Sequence, residues 1–394
     1  MSTANPIPAT FLRGGTSKGI FLDKSVLPTE RSHWDPIFLG IMGSPDPEHG
    51  RQLNGMGGGI SSLSKICVVG PPSLDQKAKG IQVEYTFVQI GVRDSSIDYS
   101  GNCGNLSSMI GVFAVDQGIC TLQTAPGSTH ATIRSFNTNT QKIIDTTFPI
   151  SDLGTPVLDL PQATVAGVPG QASKILLDFV NPGGARTGKL LPSGNATDLL
   201  DISIPSANSA SAPPIHPIKV SLVDATNPTV FVDYAQLNQF LPMDDYFKNK
   251  SPATEEVNPI LESIRQQGAQ KMGLDPSAQA QPKIAILSAP HESSDLSQGV
   301  SIVVHALSMG ILHKGLPITI GLCVGVASKT EGTIAWDIAV QSSRARTNDS
   351  IDLVRLKHPG GLVDVGAEFD DDGIVKSAKV VRTGRRLMKG VVWY

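Results

Sequence analysis

Four short segments of this 394-residue chain set a thiol, hydroxyls, amides or cations among glycines. Cys103 stands in Ser100-Gly101-Asn102-Cys103-Gly104-Asn105, directly ahead of the run Leu106–Val115. That run is apolar on nearly every side and stops at Gly118, the pattern of a helix buried all round. A thiol at the start of such a helix is biased toward thiolate by unpaired backbone N–H groups and the positive end of the dipole, and the same end favours a carboxylate. Cys103 can therefore exchange a proton with a carbon acid whose anion is held close by. The plain alternative is a small thiol packed in a turn, but Asn-Cys-Gly-Asn is a poor setting for packing alone. Cys67, Cys120 and Cys323 lie in apolar runs and read as core residues.

The second segment, Gly55–Lys65 (GMGGGISSLSK), costs backbone entropy that is usually spent where a ligand approaches the main chain. Lys65 opens the apolar strand Ile66–Val69, and a lysine at the edge of a core can be desolvated into a proton acceptor. A snorkelling surface cation is the bland reading of that lysine by itself. The third segment, Arg13–Gly19 (RGGTSKG), offers two cations, two hydroxyls and flexible N–H groups suited to a carboxylate or phosphate. It lacks the glycine spacing of a Walker A loop. The fourth, Gly188–Asp198 (GKLLPSGNATD), is by itself a turn with Ser, Asn and Thr donors. No His, Asp or Glu spacing indicates a metal, and neither a nucleophile elbow nor a dinucleotide fingerprint is present.

The elements that must position these groups follow from periodicity. Short strands are expected at Ile7–Leu12, Gly19–Leu22, Lys65–Val69 and Ile81–Gly91, where Val83, Tyr85, Phe87 and Gln89 alternate at a period of two. A second all-apolar segment, Leu316–Ala327, follows His313-Lys314-Gly315 much as Leu106–Val115 follows the Cys103 segment, which suggests two structurally similar halves without a sequence repeat. Pro252–Gly273 reads as an amphipathic helix, Ile204–Pro217 as a flexible Ser/Ala/Pro loop, and Val380–Tyr394 as ending in a strand added to an existing sheet. Glycine (39) and proline (28) are in excess and the net charge is only −3, so the chain is turn-rich and carries no basic stripe for nucleic acid or an anionic membrane. Scattered cysteines, no apolar stretch of spanning length and no secretory start point to a reduced, cytoplasmic setting.

At these residues the chain resembles the PrpF family, the 2-methylaconitate cis-trans isomerase group. The resemblance rests, in order, on Arg13–Gly19, Met42–Pro47 (MGSPDP), Gly55–Lys65, Ser100–Ser107 (SGNCGNLS), Gly188–Asp198, Ala306–His313 (ALSMGILH), His358–Gly361 and Arg382–Met388 (RTGRRLM). It implies an α/β (α+β) fold like that of diaminopimelate epimerase, with two similar domains, each a mixed, barrel-like β-sheet wrapped around one central helix and with substrate between them. The domains are expected at 1–184 with 378–394, and at 185–377. By resemblance, Lys65 and Cys103 transfer protons, without metal or organic cofactor. Substrate carboxylates would be held by Arg13, Thr16, Ser17, Lys18, Ser64, Asn102, Gly104, Asn105, Ser193, Gly194 and Asn195, with His313 at the facing helix N-terminus. Ile60, Tyr99 and Pro317 depart from residues commoner in the family, which leaves the proton-transfer pair intact and the exact substrate open.

The implied chemistry is allylic. Removing a proton from an unsaturated tricarboxylate such as an aconitate gives a delocalised, enolate-like anion that N–H groups and cations can stabilise. Returning the proton across the allyl system moves the double bond, and rotation before return gives cis-trans isomerisation. The rivals are a two-thiol amino-acid racemase or epimerase, which needs a second thiol facing Cys103, and a catalytically silent carboxylate-binding protein. The expected partner is a small di- or tricarboxylate, with a homodimer as an open alternative to the monomer.

Overall fold

The computed structural model describes residues 4–125, 127–204, 213–279, 281–308, 310–343 and 353–394. Its backbone contacts divide the chain into two units, Met1–Val180 with Val381–Tyr394, and Asn181–Val380. The first contains β1 (Ile7–Gly14), β2 (Ser17–Asp23), β3 (Lys65–Gly70), β4 (Val83–Ile90), the short β5 (Ile97–Asp98), β6 (His130–Asn137), β7 (Lys142–Pro149), the hairpin β8 (Ala163–Val165) and β9 (Val168–Ala172), and β10 (Ile175–Val180). The second contains β11 (Asp198–Ser203), β12 (Ile215–Ala225), β13 (Asn227–Asp233), β14 (Lys283–Ser288), β15 (Ile302–Ser308), the short β16 (Ile311–Leu312), β17 (Leu353–His358), β18 (Gly361–Phe369) and β19 (Val375–Arg382), whose last two residues, Val381 and Arg382, already belong to the first unit. The chain then returns to the first unit with β20 (Gly384–Val392), which lies antiparallel to β1 from Ile7↔Val392 to Gly14↔Gly384.

Each unit repeats one ladder. The first runs β20-β1-β2-β3-β4-β6-β7-β10, parallel only at β2/β3 and β4/β6. The second runs β11-β12-β13-β14-β15-β17-β18-β19, parallel only at β13/β14 and β15/β17. Parallel neighbours require a long crossover, and each of the four contains a helix. Trp34–Met42 and Ala253–Lys271 lie in the first crossover of their units, and the apolar central helices lie in the second. The two similar halves suggested by the paired apolar segments are thus two copies of one topology.

The central helix of the second unit is Ile318–Ala327, buried from Ile320 to Ala327 and packed on β12, β13, β17 and β18. In the first unit the continuous helix expected over Leu106–Val115 is broken. Gly104–Ser107 makes one turn and Ile110–Asp116 continues, its residues Ile110 to Ala114 buried among β3, β4, β6 and β7. Between them the bonds tighten to Ser108 N–H with Asn105 O (3.3 Å) and Met109 N–H with Leu106 O (2.9 Å), while Ser108 Oγ also donates to Asn105 O at 2.7 Å. A side chain competing for that carbonyl shifts the ladder to the tighter spacing.

The outer helices decide which strand face is which. Trp34–Met42 packs on Ile7, Ile20, Leu22, Ile66 and Val68. The alternate residues Ser17, Gly19 and Phe21 of β2 and Lys65, Cys67 and Val69 of β3 therefore point to the central helix, where Phe21 meets Phe113 with ring centroids 5.5 Å apart. In the second unit Ala253–Lys271 is the amphipathic helix read from the pattern, with Val257, Leu261 and Ile264 packed on Val230, Val232, Ile284 and Ile286. Arg265 of this helix is 3% exposed and bonded to Glu262 through Nε (2.8 Å) and Nη2 (2.6 Å). Of the loop expected over Ile204–Pro217, residues 205–212 lie outside the described residues and Ile215–Pro217 belong to β12. Met309 of the Ala306–His313 segment is likewise outside them. No helix of the described residues is long and apolar enough to cross a membrane.

Candidate active site

Lys65 opens β3 opposite Gln89 of β4, on the face turned to the central helix. Only 8% of it is exposed; its Nζ is hydrogen-bonded to Gln89 Oε1 and lies 5.2 Å from the centroid of the Phe87 ring. Gln89 is fixed in turn by donating Nε2–H to Ser64 O (3.0 Å) and Ser61 O (3.2 Å). Among the described residues no carboxylate pairs with Lys65. An ammonium buried without a counter-ion is costly to a fold and suits either proton transfer or an incoming anion.

Ser64, expected to touch substrate, is instead fully buried inside the Gly-rich loop. Its hydroxyl lies 2.6 Å from Gln52 Oε1 and 2.9 Å from Ile60 O. Gln52 also accepts from Gly59 N–H (3.0 Å) and donates to Ser44 Oγ (2.7 Å), so it holds together the loop that delivers Lys65.

Cys103 is the cap residue of the single turn Gly104–Ser107 and is half-buried. Because the helix is broken one turn later, the extended dipole expected at this thiol is absent; what remains are the first-turn N–H groups, which have no intrahelical acceptor. Cys103 Sγ lies 3.7 Å from Ser17 Oγ, within reach of a sulfur hydrogen bond. Asn105 Nδ2 donates to Thr16 Oγ1 (3.0 Å) and Ser17 Oγ (3.4 Å). Asn102 has a framing place: it accepts from Tyr85 O–H at 3.2 Å and donates to Ser107 Oγ at 3.1 Å, while Ser107 Oγ–H reaches Cys103 O at 3.1 Å.

Cys67 is buried two residues beyond Lys65 in β3, on the same face of the strand. Burial pushes its thiol well up, negative charge on Cys103 adds to the rise, and the Lys65 ammonium opposes it. Lys65 and Ser17 share the face of β3 and β2 that is turned to the central helix, and Cys103 Sγ lies against that face at Ser17.

Arg382 completes this face and had no role assigned from sequence, although it begins the matched Arg382–Met388 segment. It is 7% exposed, donates Nε–H to Asn105 Oδ1 at 3.1 Å and Nη1–H to Val381 O at 2.8 Å, and has no carboxylate partner among the described residues. Burial lowers its pKa to about 10, with the Cys103 charge working the other way. Gly15 explains part of the Arg-Gly-Gly-Thr-Ser pattern: at φ +49° it favours glycine, and a Cβ there would sit 2.2 Å from Asn105 Oδ1 and 3.2 Å from Arg382 Cδ. Gln89 was legible, since it shares its alternating face with Tyr85 and Phe87.

Arg13 and Lys18 do not join this group. They alternate with Leu12 and Ser17, so their side chains leave the opposite face of β1 and β2. In the second unit, Ser193 Oγ donates to Asp198 Oδ2 (2.6 Å) and Asn195 Nδ2 to Asp198 Oδ1 (3.3 Å), around Gly194 at φ +84°. His313 follows β16 on an exposed turn, N–H to Ala306 O at 2.8 Å, and stands short of the helix that begins at Ile318 after Pro317, not at its N-terminus. Its imidazole is pushed down by partial desolvation and then by Lys283. Cys323 is wholly buried in that helix, 3.6 Å from Val223 O, with its thiol pushed up to about 12 by burial. Among the described residues no cluster of three or more His, Cys, Asp or Glu is placed to hold a metal ion.

A family model described as PrpF protein matches residues 4–394. The chain is 33% identical to the 3-methylitaconate isomerase of Eubacterium barkeri, over 100% of this chain and 98% of that one. It is 31% identical to a 2-methyl-aconitate isomerase of Shewanella oneidensis, over 98% and 96% of the two chains. A crystal structure of a methylitaconate-delta-isomerase superposes with a TM-score of 0.82 at 32% identity, covering 100% of this chain and 96% of the other.

Proposed function

This chain belongs to the PrpF family and is an isomerase acting on an unsaturated carboxylate, and we propose that it shifts an allylic proton of an aconitate- or methylaconitate-type substrate with Lys65 and Cys103 as the proton-transfer pair. The observation that carries this reading is one shared face: Lys65 and Ser17 turn the same way from the parallel strands β3 and β2, Cys103 Sγ lies 3.7 Å from Ser17 Oγ, and Asn105 ties the same hairpin to the buried Arg382, which has no carboxylate partner among the described residues. One of the pair takes the allylic proton as the C–H bond breaks, and its electrons spread over the allyl system and the adjoining carboxylate. Arg382 and the Gly104 and Asn105 backbone N–H groups suit the negative charge that develops, and stabilisation of such charge is usually the largest catalytic contribution. Proton return to the far allylic carbon migrates the double bond; return after rotation about the former double bond gives the geometric isomer. Thr16 and Ser17 hold Asn105 and Cys103 in place, and every step is balanced by one proton out and one proton in.

The two-thiol racemase reading is disfavoured by Cys323, which is wholly buried with its thiol pushed up to about 12; Cys120, read from sequence as a core residue, is instead half-buried, and burial pushes its thiol up to about 11. The test is proton NMR in heavy water with cis-aconitate, trans-aconitate, 2-methylaconitate and methylitaconate, comparing wild type with Lys65→Ala and Cys103→Ala. Wild type is expected to isomerise at least one and to place deuterium at its allylic carbon, and both variants are expected to lose at least about 10³-fold in rate. Isomerisation and exchange of none of the four by wild type would refute the substrate class.

A further inference from the structure

The cations that the catalytic face leaves out stand together elsewhere in the same unit. Lys18 of β2 is registered directly opposite Arg13 of β1, and Arg13 directly opposite Arg385 of β20. Adjacent strands are about 4.8 Å apart, so three positive side chains form a row about 10 Å long across three strands. Like charges in directly opposed positions destabilise a sheet, and such a row is expected only where something offsets it. Among the described residues none of the three has a carboxylate within ion-pair distance. The neighbouring Arg386 shows what an offset looks like, since it is held by both oxygens of Asp116 at 2.6 and 2.8 Å.

The row does not lie on open, flat surface. Arg13, Lys18 and Arg385 line a cavity of about 760 Å³ walled by Pro156–Asp159 and by the β9 strand of the β8–β9 hairpin, with Asp159 the one acidic side chain in the lining. A cleft of this size suits a small molecule. Burial lowers the pKa of Arg13 and the Arg385 charge lowers it further, the mark of a guanidinium crowded by another cation. Arg13 Nη1 is tied to Gly15 O (2.9 Å) and to Thr383 O (3.2 Å) and Oγ1 (3.1 Å), which leaves its other N–H groups for a ligand.

We propose that this cavity is a second anion site, separate from the Cys103 face, for a compact small molecule carrying at least two anionic groups about 5 Å apart. Carboxylates and phosphates share that chemistry, and guanidinium forks accept either. Its link to catalysis runs through Arg13, whose anchor Gly15 is the residue that makes room for Asn105 and Arg382.

The proposal is tested by isothermal titration calorimetry on the full chain at low ionic strength, with tricarballylate, a saturated tricarboxylate that has no double bond to isomerise, and separately with pyrophosphate. Wild type is expected to bind two equivalents of tricarballylate per chain, one at each face, and Arg385→Glu to bind one with the weaker or tighter of the two isotherms lost. Pyrophosphate removing the Arg385-dependent isotherm would identify phosphate as an accepted source, and failure to do so would restrict the site to carboxylates; both outcomes support the site. Isotherms with both probes that Arg385→Glu leaves unchanged, or no binding of either probe by wild type, would overturn it; a single wild-type equivalent that Arg385→Glu removes would support this cavity and count against the Cys103 face instead. Because the readout is binding, the second site stands or falls on these isotherms even in a chain that isomerises none of the four substrates above.

Discussion

Arg382 Nε donates to Asn105 Oδ1 at 3.1 Å across 277 residues of sequence, joining the last matched segment of the chain to the one that carries Cys103. The bond orients Asn105 so that its amide nitrogen faces Thr16 and Ser17, and Ser17 in turn faces Cys103. It also leaves a buried cation without a carboxylate among the described residues, an arrangement that costs stability unless an anion arrives. Arg382→Gln is therefore expected to lower kcat/KM by about 10²–10⁴-fold, with kcat falling as well as KM rising, while leaving the melting temperature unchanged or higher. A residue with a merely structural role would give the reverse pattern, lower melting temperature with near-normal kinetics.

Gly15→Ala tests the same junction from the hairpin. The new methyl would need to displace Asn105 Oδ1 from 2.2 Å, and alanine would have to adopt φ +49°. A loss of about 1–3 kcal/mol in stability is expected, together with a fall in turnover. Urea unfolding and steady-state kinetics on the one variant measure both; normal values for both would show that the turn has slack.

Cys323→Ala separates the isomerase from a two-thiol racemase. The thiol is buried in an apolar helix, so its loss is expected to leave turnover within about threefold and to cost on the order of 1 kcal/mol. In the folded wild type, iodoacetamide should modify Cys103 well before Cys323, as peptide mass mapping would show. Abolition of turnover by Cys323→Ala, as complete as that by Cys103→Ala, would reverse the assignment.

His305 gives the second unit a pH dependence. It stacks on Phe247 with ring centroids 3.6 Å apart and an interplanar angle of 8°. Burial first, and the Lys357 charge second, lower its pKa from 6.5 to about 4. The unfolded chain takes up a proton that the folded chain refuses, so this contribution is full above pH 6.5 and is lost as the pH falls toward 4. A decline of about 1–3 kcal/mol is expected over that window, read from urea midpoints, and His305→Phe should flatten it.

The amino-acid sequence by itself determined the elements and much of the chemistry. Period-two alternation marks β3 and β4 and places Gln89 on the face of Tyr85 and Phe87, and the all-apolar run 316–327 requires a helix enclosed by sheet. The matched segments single out Lys65 and Cys103, because a lysine at a strand edge and a thiol between asparagines are unusual residues in unusual places. Tertiary structure decided which face each residue serves. Arg13 and Ser17 lie in one short segment, yet strand alternation sends them to opposite sides of the sheet, and only the packing of Trp34–Met42 on Ile20 and Leu22 fixes which side meets the central helix. The break after Ser107 depended on a hydroxyl reaching a carbonyl three residues back, a competition that apolar patterning does not register. Arg382 reaches the site because β20 returns to β1, and a contact between distant segments is set by register and burial, which no local pattern encodes.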